Sequence, residues 1–89
     1  MTHSLIPPIS VPDDVVARKV GDATILVRLQ TNRIYELNVT GSRIWELLKE
    51  NRSRPEIVET LVREFDEQAD VIGAAIDDLL RQLRAEGLI

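Results

Sequence analysis

At Asn38 the spacing of apolar residues changes from every second position to every third or fourth, and it does not change back. Period two belongs to a pleated strand and period 3.6 to a helix, because those are the repeats with which side chains return to one face. Upstream of the change, Val15-Val16-Ala17-Arg18-Lys19-Val20 reads as a strand over 15–20. It runs into Gly21-Asp22, a dipeptide suited to the positive φ of a two-residue hairpin. A second strand is expected over 24–29, with Ile25, Val27 and Leu29 on one face. After the turn Gln30-Thr31-Asn32, a third strand follows over 33–37, with Tyr35 and Leu37 sharing a side. Three such strands joined by short turns form an antiparallel meander.

Downstream, Asn38 or Thr40 is placed to cap a helix over 40–50 whose apolar positions are Ile44, Trp45, Leu47 and Leu48. Ser53, Pro55 and Glu56 form a capping box with proline just inside the next helix, expected over 54–67. Its core stripe is Ile57, Val58, Leu61, Val62 and Phe65. Asp70 is read as the cap of a third helix over 70–86, striped by Ile72, Ile76, Leu79, Leu80 and Leu83. Gly87 is placed to close it, so that Leu88-Ile89 fold back onto the core. Strands first and helices after give an α+β fold. Neither half is large enough to stand alone, so residues 13–89 are read as one domain with one core. Pro7, Pro8 and Pro12 mark residues 1–12 as a flexible arm.

Composition narrows what such a domain does. At 89 residues the chain has room for a modest core but not for a large enclosed active site. It has no cysteine, which excludes disulfide scaffolds and thiolate metal sites. No apolar run approaches a membrane span. The start Met-Thr-His-Ser-Leu-Ile lacks a basic segment and a long apolar one, so no signal peptide is read and a cytoplasmic location is expected. The net charge is −4, and residues 55–89 alone carry three basic and nine acidic residues. Affinity for phosphates comes from Lys and Arg displacing counterions, so nucleic acid is disfavoured.

The search for catalytic residues returns little. His3 is the only histidine, and it lies in the proline-bearing arm. A nucleophilic serine would need a base beside it. The pairs Asp13-Asp14, Asp66-Glu67 and Asp77-Asp78 read as solvated faces, since adjacent helical positions point about 100° apart. The four glycines are scattered singly and form no phosphate loop. No enzyme activity, cofactor or metal is expected.

Strands with a trio of helices suggest a winged helix–turn–helix-like domain, and a DNA-binding regulator is the corresponding alternative. Asp70, Asp77, Asp78 and Glu86 on the third helix, against Arg81 and Arg84, have the wrong sign for a duplex. The third strand invites another use. It ends the meander, so one edge carries unpaired N–H and C=O groups, and Arg33-Ile34-Tyr35-Glu36-Leu37 contains no blunting proline. Such an edge suits addition of a peptide strand. It is equally open to cover by the arm or a helix, or to plain exposure. Beside the core stripe of the third helix runs a strip of Val71, Ala75, Asp78 and Gln82. Together with Leu79, it would form the opposite wall of a groove.

The run Tyr35-Glu36-Leu37-Asn38-Val39-Thr40-Gly41-Ser42-Arg43-Ile44-Trp45-Glu46-Leu47-Leu48 resembles the signature of the pyrroloquinoline quinone biosynthesis protein D family. The resemblance extends from about Pro12 to the closing Leu83-Arg84-Ala85-Glu86-Gly87-Leu88-Ile89. It implies a RiPP recognition element, a domain that binds the leader segment of a ribosomally made precursor peptide. The leader would add antiparallel to the third strand, against the third helix. Carried onto this chain, the peptide-binding residues would be Arg33, Ile34, Tyr35, Glu36 and Leu37, facing Val71, Ala75, Asp78, Leu79 and Gln82. Asn38, Gly41 and Trp45 match motif positions with structural roles: turn cap, close packing and core.

Two settings compete within the resemblance. In one, the protein presents its precursor to a radical S-adenosylmethionine enzyme during pyrroloquinoline quinone synthesis. In the other, it is a free-standing lasso-peptide protein that passes the leader to a cysteine (transglutaminase-like) leader peptidase. The proline-bearing arm and Val11-Pro12-Asp13-Asp14-Val15 look more like the second. A homodimer through the open sheet edge is a further expectation.

Overall fold

The computed structural model describes residues 11–89. Strands β1 (Val15–Val20), β2 (Ala23–Arg28) and β3 (Arg33–Leu37) form one antiparallel sheet in the order β1-β2-β3. Helices α1 (Val39–Lys49), α2 (Arg54–Phe65) and α3 (Ala69–Ala85) follow. This is the α+β arrangement expected, three strands and then three helices. Residues 1–10 of the expected arm lie outside the described residues; at 11–12, Val11 packs against the core and the Pro12 carbonyl accepts the Val15 N–H at 3.1 Å.

The first hairpin closes with Val20 opposite Ala23, leaving Gly21-Asp22 as its loop. Gly21 has φ of 63°. A positive φ at the first central position, where glycine bears no steric penalty, is the type II′ pattern that matches strand twist. The second turn brings Arg28 opposite Arg33, with Asn32 in the left-handed region.

The second strand keeps the expected alternation, with Ile25 and Val27 on one face, and that face is turned away from the core. Leu26 is fully buried and Thr24 nearly so, while Leu29 lies beyond β2 and is 58% exposed. Ile25 and Val27 point to the side away from the helices. Register explains this orientation. Thr24 pairs with Leu37 and Leu26 with Tyr35, and paired residues share a face, so the inward Tyr35 and Leu37 draw Thr24 and Leu26 inward.

Asn38 caps α1: it is extended, and its Oδ1 accepts the Gly41 N–H at 2.8 Å. The helix closes at Asn51, which has φ of 62°, with the Arg52 N–H on the Leu47 carbonyl at 3.1 Å. The capping box on α2 forms as expected, with Ser53 Oγ accepting from Glu56 N–H and the Glu56 carboxylate accepting from Ser53 N–H. α2 ends at Phe65 rather than 67, because Asp66 takes a left-handed conformation that stops the helix.

The cap of α3 differs from expectation. Gln68 is the N-cap and makes no side-chain capping bond; Asp70 lies inside the first turn. The helix starts at Ala69, one residue before the expected range, with its cap two residues before Asp70. There Asp70 acts by charge instead, facing the positive end of the helix dipole. At the far end Gly87 has φ of 73°, and the N–H groups of Gly87 and Leu88 bond the carbonyls of Arg84 and Leu83. This closing motif folds Leu88 into the core at 1% exposure.

The core lies between one face of the sheet and the three helices. Leu26 and Leu37 meet Ile44, Trp45, Ile57, Leu61, Ile76 and Leu83 there. Among the described residues no helix packs on the opposite face of the sheet.

Candidate functional site

Among the described residues β3 pairs with β2 on one side only, so its outer edge keeps a row of unpaired backbone groups. Opposite that edge runs α3. No Cα of β3 lies within 8 Å of a Cα of α3, so the two elements leave a cleft between them. The cleft has a volume of about 260 Å³. β3 contributes Tyr35, Glu36 and Leu37 to its lining, and α3 contributes Ala75, Asp78, Leu79 and Gln82. Its inner end is formed by Asn38, Thr40, Gly41 and Ile44 at the start of α1.

The local sequence makes this shape. Leu37 and Ile44 are fixed in the core, at 2% and 1% exposure, and tether β3 and α1 at the cleft's base. Gly41 permits the tight passage from strand to helix: a Cβ there would lie 3.2 Å from the capping Asn38 Oδ1 and 3.5 Å from the Leu37 Cβ. On α3, Leu79 and Leu80 bury toward the core while Ala75, half-buried, adds little bulk to the wall.

Side chains alone bridge the cleft. The Tyr35 hydroxyl donates to Gln82 Oε1. Gln82 Nε2 in turn donates to Asp78 Oδ2 at 2.7 Å, and Arg81 donates to Asp78 Oδ1 at 2.7 Å. Further along, Arg33 Nη2 meets Glu86 Oε1 at 2.5 Å. Burial raises the Tyr35 hydroxyl pKa above 10.0, and the carboxylates of Asp78 and Glu86 raise it further. Tyr35 therefore remains a neutral donor at physiological pH. Chemically, the site offers a strand edge, an apolar floor, one small-residue gap and, on its helical wall, the carboxylate of Asp78. Among the described residues, no group of three His, Cys, Asp or Glu side chains is placed to hold a metal ion.

Seven of the residues named from sequence line the cleft: Tyr35, Glu36, Leu37, Ala75, Asp78, Leu79 and Gln82. Arg33 reaches over its mouth to Glu86. Ile34 alternates to the outer face of the sheet and is 69% exposed. Val71 is 49% exposed and stands one turn before Ala75, outside the lining. The lining by Asn38, Thr40, Gly41 and Ile44 was not foreseen, since Asn38 and Gly41 were assigned structural roles alone. The signal was present in their position. They follow the last strand residue directly, so the groove along that strand has to end on them.

No curated protein matches the chain. Among solved structures, the chain is similar to TbiB1 in complex with the TbiA(beta) leader peptide, with 32% identity and a TM-score of 0.81. That similarity covers 90% of this chain and 93% of the other. The model of the coenzyme PQQ synthesis protein D (PqqD) family matches residues 23–89, two strands and three helices that include both walls of the cleft, and the chain belongs to that family.

Proposed function

We infer that the protein is a non-catalytic RiPP recognition element. It captures the leader segment of a ribosomally made precursor as an added strand antiparallel to β3, in the cleft with α3. The observation that carries this reading is the open β3 edge facing α3, in a chain similar over nearly its whole length to one solved with a leader peptide. Residues 13–89 form the binding domain, and 1–12 a proline-containing arm.

The physics of capture follows from the cleft. A free leader loses conformational entropy on binding, so its affinity rests on a few apolar anchors and on backbone hydrogen bonds to a preformed edge. Tyr35 and the surface around Ala75 receive such anchors, and Asp78 or Arg33 answers a polar or charged leader residue. To enter, the leader separates Tyr35 from Gln82 and Arg33 from Glu86. Once bound, it holds the attached core peptide at raised effective concentration for a processing enzyme.

For that enzyme, the similarity of Val11–Val15 to lasso-peptide proteins favours a cysteine (transglutaminase-like) leader peptidase acting in the cytoplasm. The family description favours the second reading, presentation to a radical S-adenosylmethionine enzyme in coenzyme PQQ synthesis. Fluorescence anisotropy tests the binding role, with labelled synthetic peptides matching the leader of a short precursor frame beside the gene. Saturable binding that is lost with a scrambled peptide supports it. A duplex DNA probe binding instead, with affinity falling steeply in salt, would overturn it in favour of a winged-helix regulator.

A further inference from the structure

The helices cover one face of the sheet; the other face is apolar, and among the described residues no element packs on it. Antiparallel sheets with a solvated side normally place polar residues there. Register puts Val16, Val27 and Ile34 in one row across the three strands. The adjacent row is Arg18, Ile25 and Glu36, and Val20 stands beyond it. Val16 is 43% exposed, Val20 57% and Ile34 69%. Among the described residues, neither Arg18 nor Glu36 has an ion-pair partner.

We propose that this face docks onto the same face of a second copy of the chain, about a two-fold axis lying between the sheets and nearly parallel to β2. That axis exchanges β1 with β3 while keeping the rows in order. Arg18 of one copy then faces Glu36 of the other, twice over, while Ile25 meets Ile25 and Val16 meets Ile34. A two-fold interface requires a self-complementary patch, and the order cation, apolar, anion along one row is self-complementary about this axis. A two-fold axis running across the strands instead would set Arg18 against Val16 and Glu36 against Ile34, burying both charges unpaired. The sequence of the rows therefore selects one orientation, the aligned stacking usual for two sheets about 10 Å apart.

The face is about 15 Å wide and 17 Å long, from strand spacing and rise. That is well under the roughly 800 Å² per partner of a standard interface, so the dimer is weak and reversible. It leaves the β3 edge free. Leader capture and face-to-face pairing are therefore compatible, whereas a dimer through the sheet edge would compete with leader. The proposal does not depend on the leader-binding reading.

Analytical ultracentrifugation of the full chain, from about 10 µM to about 1 mM, tests it at the affinities such a small interface supports. Weight-average mass should climb from one chain toward two. Val27→Glu should abolish the climb, as should Arg18→Glu or Glu36→Arg alone, with circular dichroism unchanged. The double exchange Arg18→Glu with Glu36→Arg should restore it, which no loss of folding can mimic. A monomer at about 1 mM, a dimer that survives Val27→Glu, or a double exchange that fails to restore pairing would each overturn the proposal. So would dissolution of the dimer by a saturating β3-binding peptide, which would assign the contact to the edge.

Discussion

Among the described residues the sheet has two open edges, and each borders a cavity, yet the two edges differ in character. The cavity beside β1 measures about 340 Å³ and is lined by Ala17, Lys19, Thr24, Trp45, Glu46 and Lys49 among others, so it is no smaller than the one beside β3. The difference lies in charge and anchoring. β1 places Arg18 and Lys19 in sequence on its edge, and Lys19 Nζ reaches across to Glu46 Oε2 at 2.7 Å. Lys49 sits over the Trp45 ring, 5.7 Å from its centroid. Lysine on an edge strand is a common device for keeping other strands away. Within β1 only Val15 is even partly buried, whereas β3 is pinned by buried Leu37 and half-buried Tyr35. The β3 edge is anchored in the core and free of a cationic run, whereas the β1 edge is exposed and cationic. Size of the adjoining cavity does not decide the matter.

Proline substitutions should break the comparison most sharply. Ile34→Pro or Glu36→Pro, with circular dichroism unchanged, should weaken leader binding by about 100-fold, since both a ladder position and the strand's shape are lost. Arg18→Pro on β1 should change it by less than about twofold. Equal losses in an anisotropy titration would show that the edges are equivalent and the account wrong. Filling the gap in the α3 wall comes next. Ala75→Trp should cost about 10- to 100-fold in leader affinity while leaving the melting temperature within a few degrees, as the site is half-buried and faces the cleft.

Tyr35→Phe should have a smaller and opposite effect. It removes the hydroxyl that bridges to Gln82, a bond the entering leader has to break. With a net hydrogen bond worth about 0.5–1 kcal/mol, leader should bind about two- to fivefold tighter by calorimetry. Weaker binding would mean that the hydroxyl contacts the leader itself. The smallest effects are those of pH, and they divide along the same line. The Lys19 ammonium first, and Arg43 beside it, hold the Glu46 carboxyl below its ordinary 4.5 against the opposing effect of burial. A lowered folded-state pKa gives stability that is present above 4.5 and lost as pH falls through the folded value. Tyr35 is shifted the other way, so its contribution is present below 10.0 and lost above it. Amide exchange should therefore rise first around β1 and α1 in acid, and around the β3–α3 cleft in alkali.

Much of this division was legible in the sequence, for physical reasons that differ by region. The shift of period at Asn38 and the capping box at Ser53 are local signals, and both correspond to elements of the structure. The face of β2 was not local. Ile25, Val27 and Leu29 are together more hydrophobic than Thr24 and Leu26, so the strand taken alone would turn them toward the core, and only pairing with Tyr35 and Leu37 decides otherwise. The same inversion leaves an apolar outer face that no single strand reveals. The cleft was legible where a helical strip could be laid against a named strand, as with Ala75, Asp78 and Gln82. Val71, one turn before Ala75, lies outside the lining, while Asn38 and Gly41 belong to it without having been read so. Those two serve a cap and a close approach while also forming the cleft's inner end.

A leader peptide should add to β3 and not to β1. Two-dimensional amide spectra of ¹⁵N-labelled protein, with hydrogen exchange measured before and after saturation with the synthetic leader, test it most directly. The account predicts new protection at alternate amides within residues 33–37, shifts in Ala75, Asp78 and Gln82, and no added protection across residues 15–20. Protection appearing along 15–20, or binding without protection in 33–37, would contradict it.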